Sequence, residues 1–261
     1  MVRILYMLPI VAWATGCQLV EDIKDVVDDL TQPVLMQVVY VGLEEPDPES
    51  GIDLGGTDLS AGSTINAYIY DVDIATGGNP ALGAAVTLLS ESLSSVGLAE
   101  DGGGAYSADG GDGLDYRPLD EVEVVADYAG VRRRISMRTP NPASVAIPEE
   151  HTPGVAISVD VRGQGFDNAF LLVIDLLSES GKPAWESEID PTEPKDPDNL
   201  IQTIPGSVFD AESLYVVGVV GLKSADSADF AEIQPLGSGM MAGTMVLHAV
   251  NTLGEIDTGA W

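Results

Sequence analysis

The sequence predicts an all-β chain folded as two antiparallel β-sandwiches in tandem. Three observations carry this. Short stretches rich in β-branched residues recur, with clusters of Gly, Asp, Asn and Pro between them. No long amphipathic helical pattern separates them, so the crossover helices of a parallel sheet are missing. A proline-dense stretch also divides the 261-residue chain into two runs, each of ordinary domain size.

The chain opens "MVRILYMLPIVAWATGC", which holds its single cysteine, Cys17. A free amine and Arg3 precede an uncharged apolar run of eleven residues, Ile4 to Ala14. That run is too short to cross a bilayer, which takes roughly 20 residues. Small residues follow, and Ala14 and Gly16 suit the positions a signal peptidase grips. The stretch therefore reads as a signal peptide over residues 1–16, cut before Cys17. It resembles a bacterial lipobox, with Ala14 standing where Leu is commonest. That resemblance implies acylation of Cys17, a lipid bilayer as partner, and a place in the bacterial cell envelope. Gln18 after the cysteine points to the outer membrane. Two or more acyl chains would be needed, because a single chain holds only marginally. An ordinary secretory peptide with an incidental cysteine is the alternative.

Composition agrees with export. Without Cys17 no cysteine remains, so no internal disulfide can form and packing alone must hold the fold. Removing residues 1–16 leaves ten basic residues against 42 acidic ones, a net charge near −32. Such a surface repels nucleic acid and anionic lipid head groups.

Residues 17–32 form a tether. Val20, Ile23, Val27 and Leu30 recur at spacings of three, four and three, a helical seam that Pro33 stops. The seam either packs on the neighbouring domain, serves as a spacer, or self-associates. Residues 33–138 then carry the strand patterns "VLMQVVYV" (34–41), "INAYIYDV" (65–72), "GAAVTLLSE" (83–91), "EVEVVADY" (121–128) and "VRRRISMR" (131–138). The last two are joined by Ala129-Gly130, a two-residue hairpin connection. Val86 and Leu88 on one strand, with Gly104 and Tyr106 on a later one, resemble a bacterial immunoglobulin-like domain of the carboxypeptidase-regulatory or invasin kind. The resemblance implies a spacer or binding module without catalysis.

The linker, residues 139–153, has four prolines in fifteen residues and is expected to hold the domains apart as a stiff connector. In residues 154–261, "GVAISVDV" alternates, whereas "AFLLVIDLL" (169–177) is nearly continuous, as expected of a strand covered on both sides. Trp185, the "IPGSVF" turn and "LYVVGV" resemble a fibronectin type III domain. Tyr215 is either the corner tyrosine of such sandwiches, its hydroxyl returned to backbone, or a core aromatic.

Catalytic patterns are missing. The two histidines, His151 and His248, stand in no recognisable triad context, and no Gly-x-Ser-x-Gly elbow occurs. Zinc and nucleotide motifs are absent as well. One segment invites a metal. In "EDGGGAYSADGGDGLDYRPLDE" (100–121), Asp101, Asp109, Asp112 and Asp115 lie among glycines, the composition of a flexible calcium loop. The same residues suit an exposed turn. Arg132, Arg133, Arg134 and Arg138 form either a docking patch for an acidic partner or cross-strand pairs with Glu121, Glu123 and Asp127. The expectation is a membrane-anchored envelope lipoprotein, non-catalytic, with an undetermined protein or glycan partner. A calcium-dependent adhesin or carbohydrate-binding module comes second, and a hydrolase using paired carboxylates last.

Overall fold

Thr64–Asp71 alternates buried and half-exposed side chains, and that period of two governs the first half of the chain. The protein is described here from a computed structural model, which describes residues 34–44, 62–71, 79–93, 95–178, 183–187, 200–225 and 238–252. Its strands are β1 (Val34–Leu43), β2 (Thr64–Asp71), β3 (Asn79–Pro80), β4 (Ala85–Ser90), β5 (Val96–Gly102), β6 (Ala105–Asp109), β7 (Glu121–Tyr128) and β8 (Val131–Arg138). The second half adds β9 (Ile157–Asp160), β10 (Asn168–Asp175), β11 (Trp185–Glu186), β12 (Ile201–Ile204), β13 (Leu214–Ser224) and β14 (Gly239–Asn251). Two 3-10 turns and no α-helix complete the described residues. The all-β class expected from the sequence holds.

In the first half, β2 pairs β1 and β6, while β4 pairs β5 and β7, and β7 pairs β8. Met36, Val38, Tyr40, Ile65 and Ile69 from one layer meet Leu88, Val124, Ile135 and Met137 from the other in one core. The β7–β8 connection adopts the expected tight turn, with Ala129 at φ 50° and Gly130 at φ 82°.

The second half is built on β10, β13 and β14, paired antiparallel. β9 and β12 form a separate two-stranded sheet. Ile157, Val159 and Ile204 from this small sheet pack on Leu171, Val173, Val217 and Val219 in a second core. Phe170, Leu171, Leu172 and Val173 are all buried, so the continuous apolar run is covered on both faces.

One pair departs from the antiparallel rule. β1 runs parallel to β14, from Gln37 opposite Gly239 to Leu43 opposite Met245. The first and last described strands thus close each other's edges, and the ladder runs unbroken from β11 to β8. The linker also differs from expectation. It does not hold two bodies apart: Ala143 is buried in the second core, with Val145 and Ile147 against it. Its backbone bonds to the end of β14, from Asn251 N to Glu149 O at 2.7 Å and from His151 N to Asn251 O at 2.9 Å. Prolines kept this stretch out of a helix, but its apolar residues had a sheet to cover.

Candidate functional site

The acidic loop is shaped by its glycines. β5 and β6 meet in a tight turn at Gly102, Gly103 and Gly104, all at positive φ. Gly104 is required there, because a Cβ would lie 2.5 Å from the Ile69 carbonyl oxygen. Two residues on, Tyr106 turns into the core, where its hydroxyl donates to Ala81 O at 2.6 Å and accepts from Ala84 N at 2.8 Å. The Gly-x-Tyr pair therefore locks the β3–β4 connection onto β6.

The four aspartates of this loop are dispersed. Asp101 accepts from Ser107 Oγ at 2.5 Å. Asp109 and Asp112 are brought together as a reciprocal cap on the turn at Gly110–Asp112. Asp109 Oδ1 accepts from Gly111 N at 2.7 Å, and Asp112 Oδ2 accepts from Asp109 N at 3.1 Å. Asp115 accepts from Arg117 Nε at 3.0 Å. Among the described residues no three His, Cys, Asp or Glu side chains are gathered as a metal ion requires. The loop's carboxylates cap and staple their own turns.

The arginine hairpin divides in two. Arg132 pairs with Asp127 at 3.4 Å, Arg134 with Glu123 at 3.9 Å, and Arg138 with Glu121 at 3.8 Å, all across the β7–β8 register. Arg133 turns inward and is buried, its Nε donating to Val34 O at 3.4 Å. Three arginines thus neutralise their own hairpin, and the fourth seals the end of the first core.

Among the described residues, neither histidine is hydrogen-bonded to a carboxylate or a hydroxyl. His151 Nε2 lies 2.8 Å from Val155 O, and its ring packs edge-on against Phe209. His248 is half-buried on β14 opposite Val217, with Nε2 unpartnered. Burial alone holds its pKa below the ordinary value, with no carboxylate contributing.

A feature that sequence reasoning missed lies between the two cores. Gly42, Thr244, Gly221 and Ala169 stand opposite one another across β1, β14, β13 and β10. Tyr116 lies against Gly42, and Phe166 against Gly221, each where a Cβ would collide with the ring. Tyr116 also packs on Tyr40 at 4.7 Å between ring centroids. Burial pushes both tyrosine hydroxyls well above their usual pKa. Glycine within a strand, at Gly42 near the end of β1 and at Gly221 in β13, was the available signal. Tyr215 settles as a corner tyrosine and a core residue at once: it is 1% exposed, and its hydroxyl accepts from Asp210 N at 2.8 Å.

Cys17, Ala14 and Gly16 lie outside the described residues, as does the seam from Val20 to Leu30. Among the described residues no helix is long and apolar enough to cross a membrane.

No family model matches the chain, and no curated protein matches it. Among solved structures, the chain is similar to the crystal structure of chicken CNTN1 FN1-FN3 domains, at 12% identity and a TM-score of 0.25. That likeness covers 82% of this chain and 68% of that one. It is also similar to the ICAM-5 D1-D4 ectodomain fragment, at 12% identity and a TM-score of 0.20, covering 84% of this chain and 49% of that one. The chain spans about half of that second fragment. What defines its class is its own architecture: an all-β protein of packed antiparallel layers, joined through one parallel strand pair.

Proposed function

We propose that this protein is a lipid-anchored module of a bacterial cell envelope, acting in binding or structure and not in catalysis. One observation carries the reading: the apolar run Ile4–Ala14 ends in Ala14-Thr15-Gly16 directly before the single cysteine, Cys17. Acylation there would tie the chain to a bilayer that its acidic surface would otherwise avoid. The non-catalytic half of the reading is supported by the engaged carboxylates of the acidic loop, where Asp101, Asp109 and Asp115 accept hydrogen bonds from Ser107, Gly111 and Arg117. The packed β layers supply a scaffold for such a role.

The test is intact mass. The protein is expressed in a bacterial host and recovered from the membrane fraction, beside a Cys17→Ala variant. A cleaved chain carrying lipid-sized mass, absent from the variant, is expected. A soluble, unacylated mature chain overturns the anchor and leaves a secreted adhesive or carbohydrate-binding role in its place.

A further inference from the structure

β2 turns Ile65, Ala67 and Ile69 into the first core, and Thr64, Asn66, Tyr68 and Tyr70 away from it. Both tyrosines stay partly exposed on one face of one strand, two residues apart. The sheet beside them is low. Tyr68 stands opposite Ala105 on β6, Ala105 opposite Gly102 on β5, and Tyr70 opposite Pro80 on β3. The rim is polar. Gln37 on β1 stands opposite Tyr68, and Asn66 stands opposite Ser107. Asp101 is exposed, its Oδ2 accepting from Ser107 Oγ at 2.5 Å. Burial first, and then the charges of Tyr70 and Asp101, raise the Tyr68 hydroxyl above its usual pKa, so both neighbours act on it at short range.

Charge selects what this face can take. Strands β1, β2, β3, β5 and β6 carry Asp71, Glu100, Asp101 and Asp109 and neither Lys nor Arg. The described arginines of the first half lie elsewhere, at Arg117 and along β8. The acids repel an anion, and a wholly apolar occupant would desolvate Asn66 and Ser107 without return. We infer that the Tyr68–Tyr70 face is a docking site for an arginine-bearing segment of a basic partner protein. A guanidinium stacks on an aromatic ring and pairs with a carboxylate, the two groups that Tyr68 and Asp101 offer side by side. Its apolar stem would lie over Ala105 and Gly102. The inference rests on the binding role proposed above and is independent of the anchor.

The test is an amide chemical-shift titration of the full chain carrying Cys17→Ala, so that acylation has no part in the readout. The probe is a capped peptide with two arginines, beside the same peptide with neutral citrulline in their place, at about 0.15 M salt. Saturable shifts centred on β2, β5 and β6 are expected with the arginine peptide alone. Tyr68→Leu should weaken binding by about fivefold or more, whereas Tyr68→Phe, which keeps the ring, should retain it. Asp101→Asn should weaken binding as well, and Glu186→Gln, the same loss of charge on distant β11, should change it by less than about twofold. Tyr70→Leu replaces Tyr68→Leu if that variant unfolds. Absence of saturable binding overturns the inference. So does binding that Glu186→Gln weakens as much as Asp101→Asn while Tyr68→Leu leaves it intact, which is diffuse attraction to an acidic surface. Binding of neutral cellohexaose that Tyr68→Leu abolishes, with the arginine peptide silent, also overturns it and gives the face to a glycan.

Discussion

The two halves of this molecule use the same strands differently. β2 shows inside–outside alternation, with Ile65, Ala67 and Ile69 fully buried and their neighbours half-exposed. β13 shows none: Tyr215 through Leu222 are buried without interruption. The first half closes one core between two layers, whose strands other than β1 turn their outer sides mostly to water. The second half is arranged around a central sheet that is apolar on both faces, so its stability depends on what covers each side. The parallel β1–β14 pair lets the first half share that central sheet, which ties the fate of one core to the other.

The largest expected effects test this tie. Leu88→Ala in the first core and Leu171→Ala in the second each remove a fully buried side chain and should cost about 2–5 kcal/mol. Because the ladder is continuous, either substitution should shift one shared calorimetric transition. Two separate transitions, with each substitution moving only its own, would show that the halves unfold independently.

Next come the local devices that each half uses to fix its loops. Gly104→Ala brings both a strained positive φ and a collision with the Ile69 carbonyl. Gly102→Ala, also at positive φ, meets open space. Urea unfolding should show the Gly102 variant losing about 1 kcal/mol and the Gly104 variant clearly more. Tyr106→Phe strands both the Ala81 carbonyl and the Ala84 amide, whereas Tyr215→Phe strands only the Asp210 amide. Each abandoned group costs about 1–3 kcal/mol, so Tyr106→Phe should be the more destabilising. Equal losses would mean that water replaces one of the Tyr106 bonds.

A smaller effect belongs to the second half alone. His248 is held neutral by burial, so the unfolded chain takes up a proton before the folded one does. Stability should therefore decline as pH falls below the ordinary histidine value of about 6.5. His248→Gln should flatten the slope of melting temperature between pH 7 and 5.5. An unchanged slope would assign it to other groups.

The first half was the more legible in the sequence, for a physical reason. Its strands face water on one side, so polar residues mark the register of β2, β7 and β8, and the acidic partners of Arg132, Arg134 and Arg138 could be named by spacing. The β5–β6 hairpin was legible only as a Gly/Asp turn before Tyr106. β13 and β10 announce burial but not what covers them. The linker misled, since four prolines advertise stiffness while Ala143, Val145 and Ile147 decide where it lies. The parallel β1–β14 pair had no local signal, because it joins residues some 200 positions apart. Gly42 and Gly221 were its nearest trace.

The smallest expected effect concerns the acidic loop. A calcium site present at a hundredfold excess of free ion over its dissociation constant would stabilise the fold by about 2.7 kcal/mol. Asp109 and Asp112 instead accept backbone hydrogens from each other's turn, while Asp101 and Asp115 accept from Ser107 and Arg117. An ion would have to break these bonds and draw Asp101 and Asp115 toward the turn that Asp109 and Asp112 cap. Melting in millimolar calcium and in chelator should therefore coincide, with Asp109→Ala lowering both curves equally through loss of its cap, by about 1 kcal/mol. A calcium-dependent rise that Asp109→Ala abolishes would reverse the assignment and make the loop a binding site gated by its own capping box.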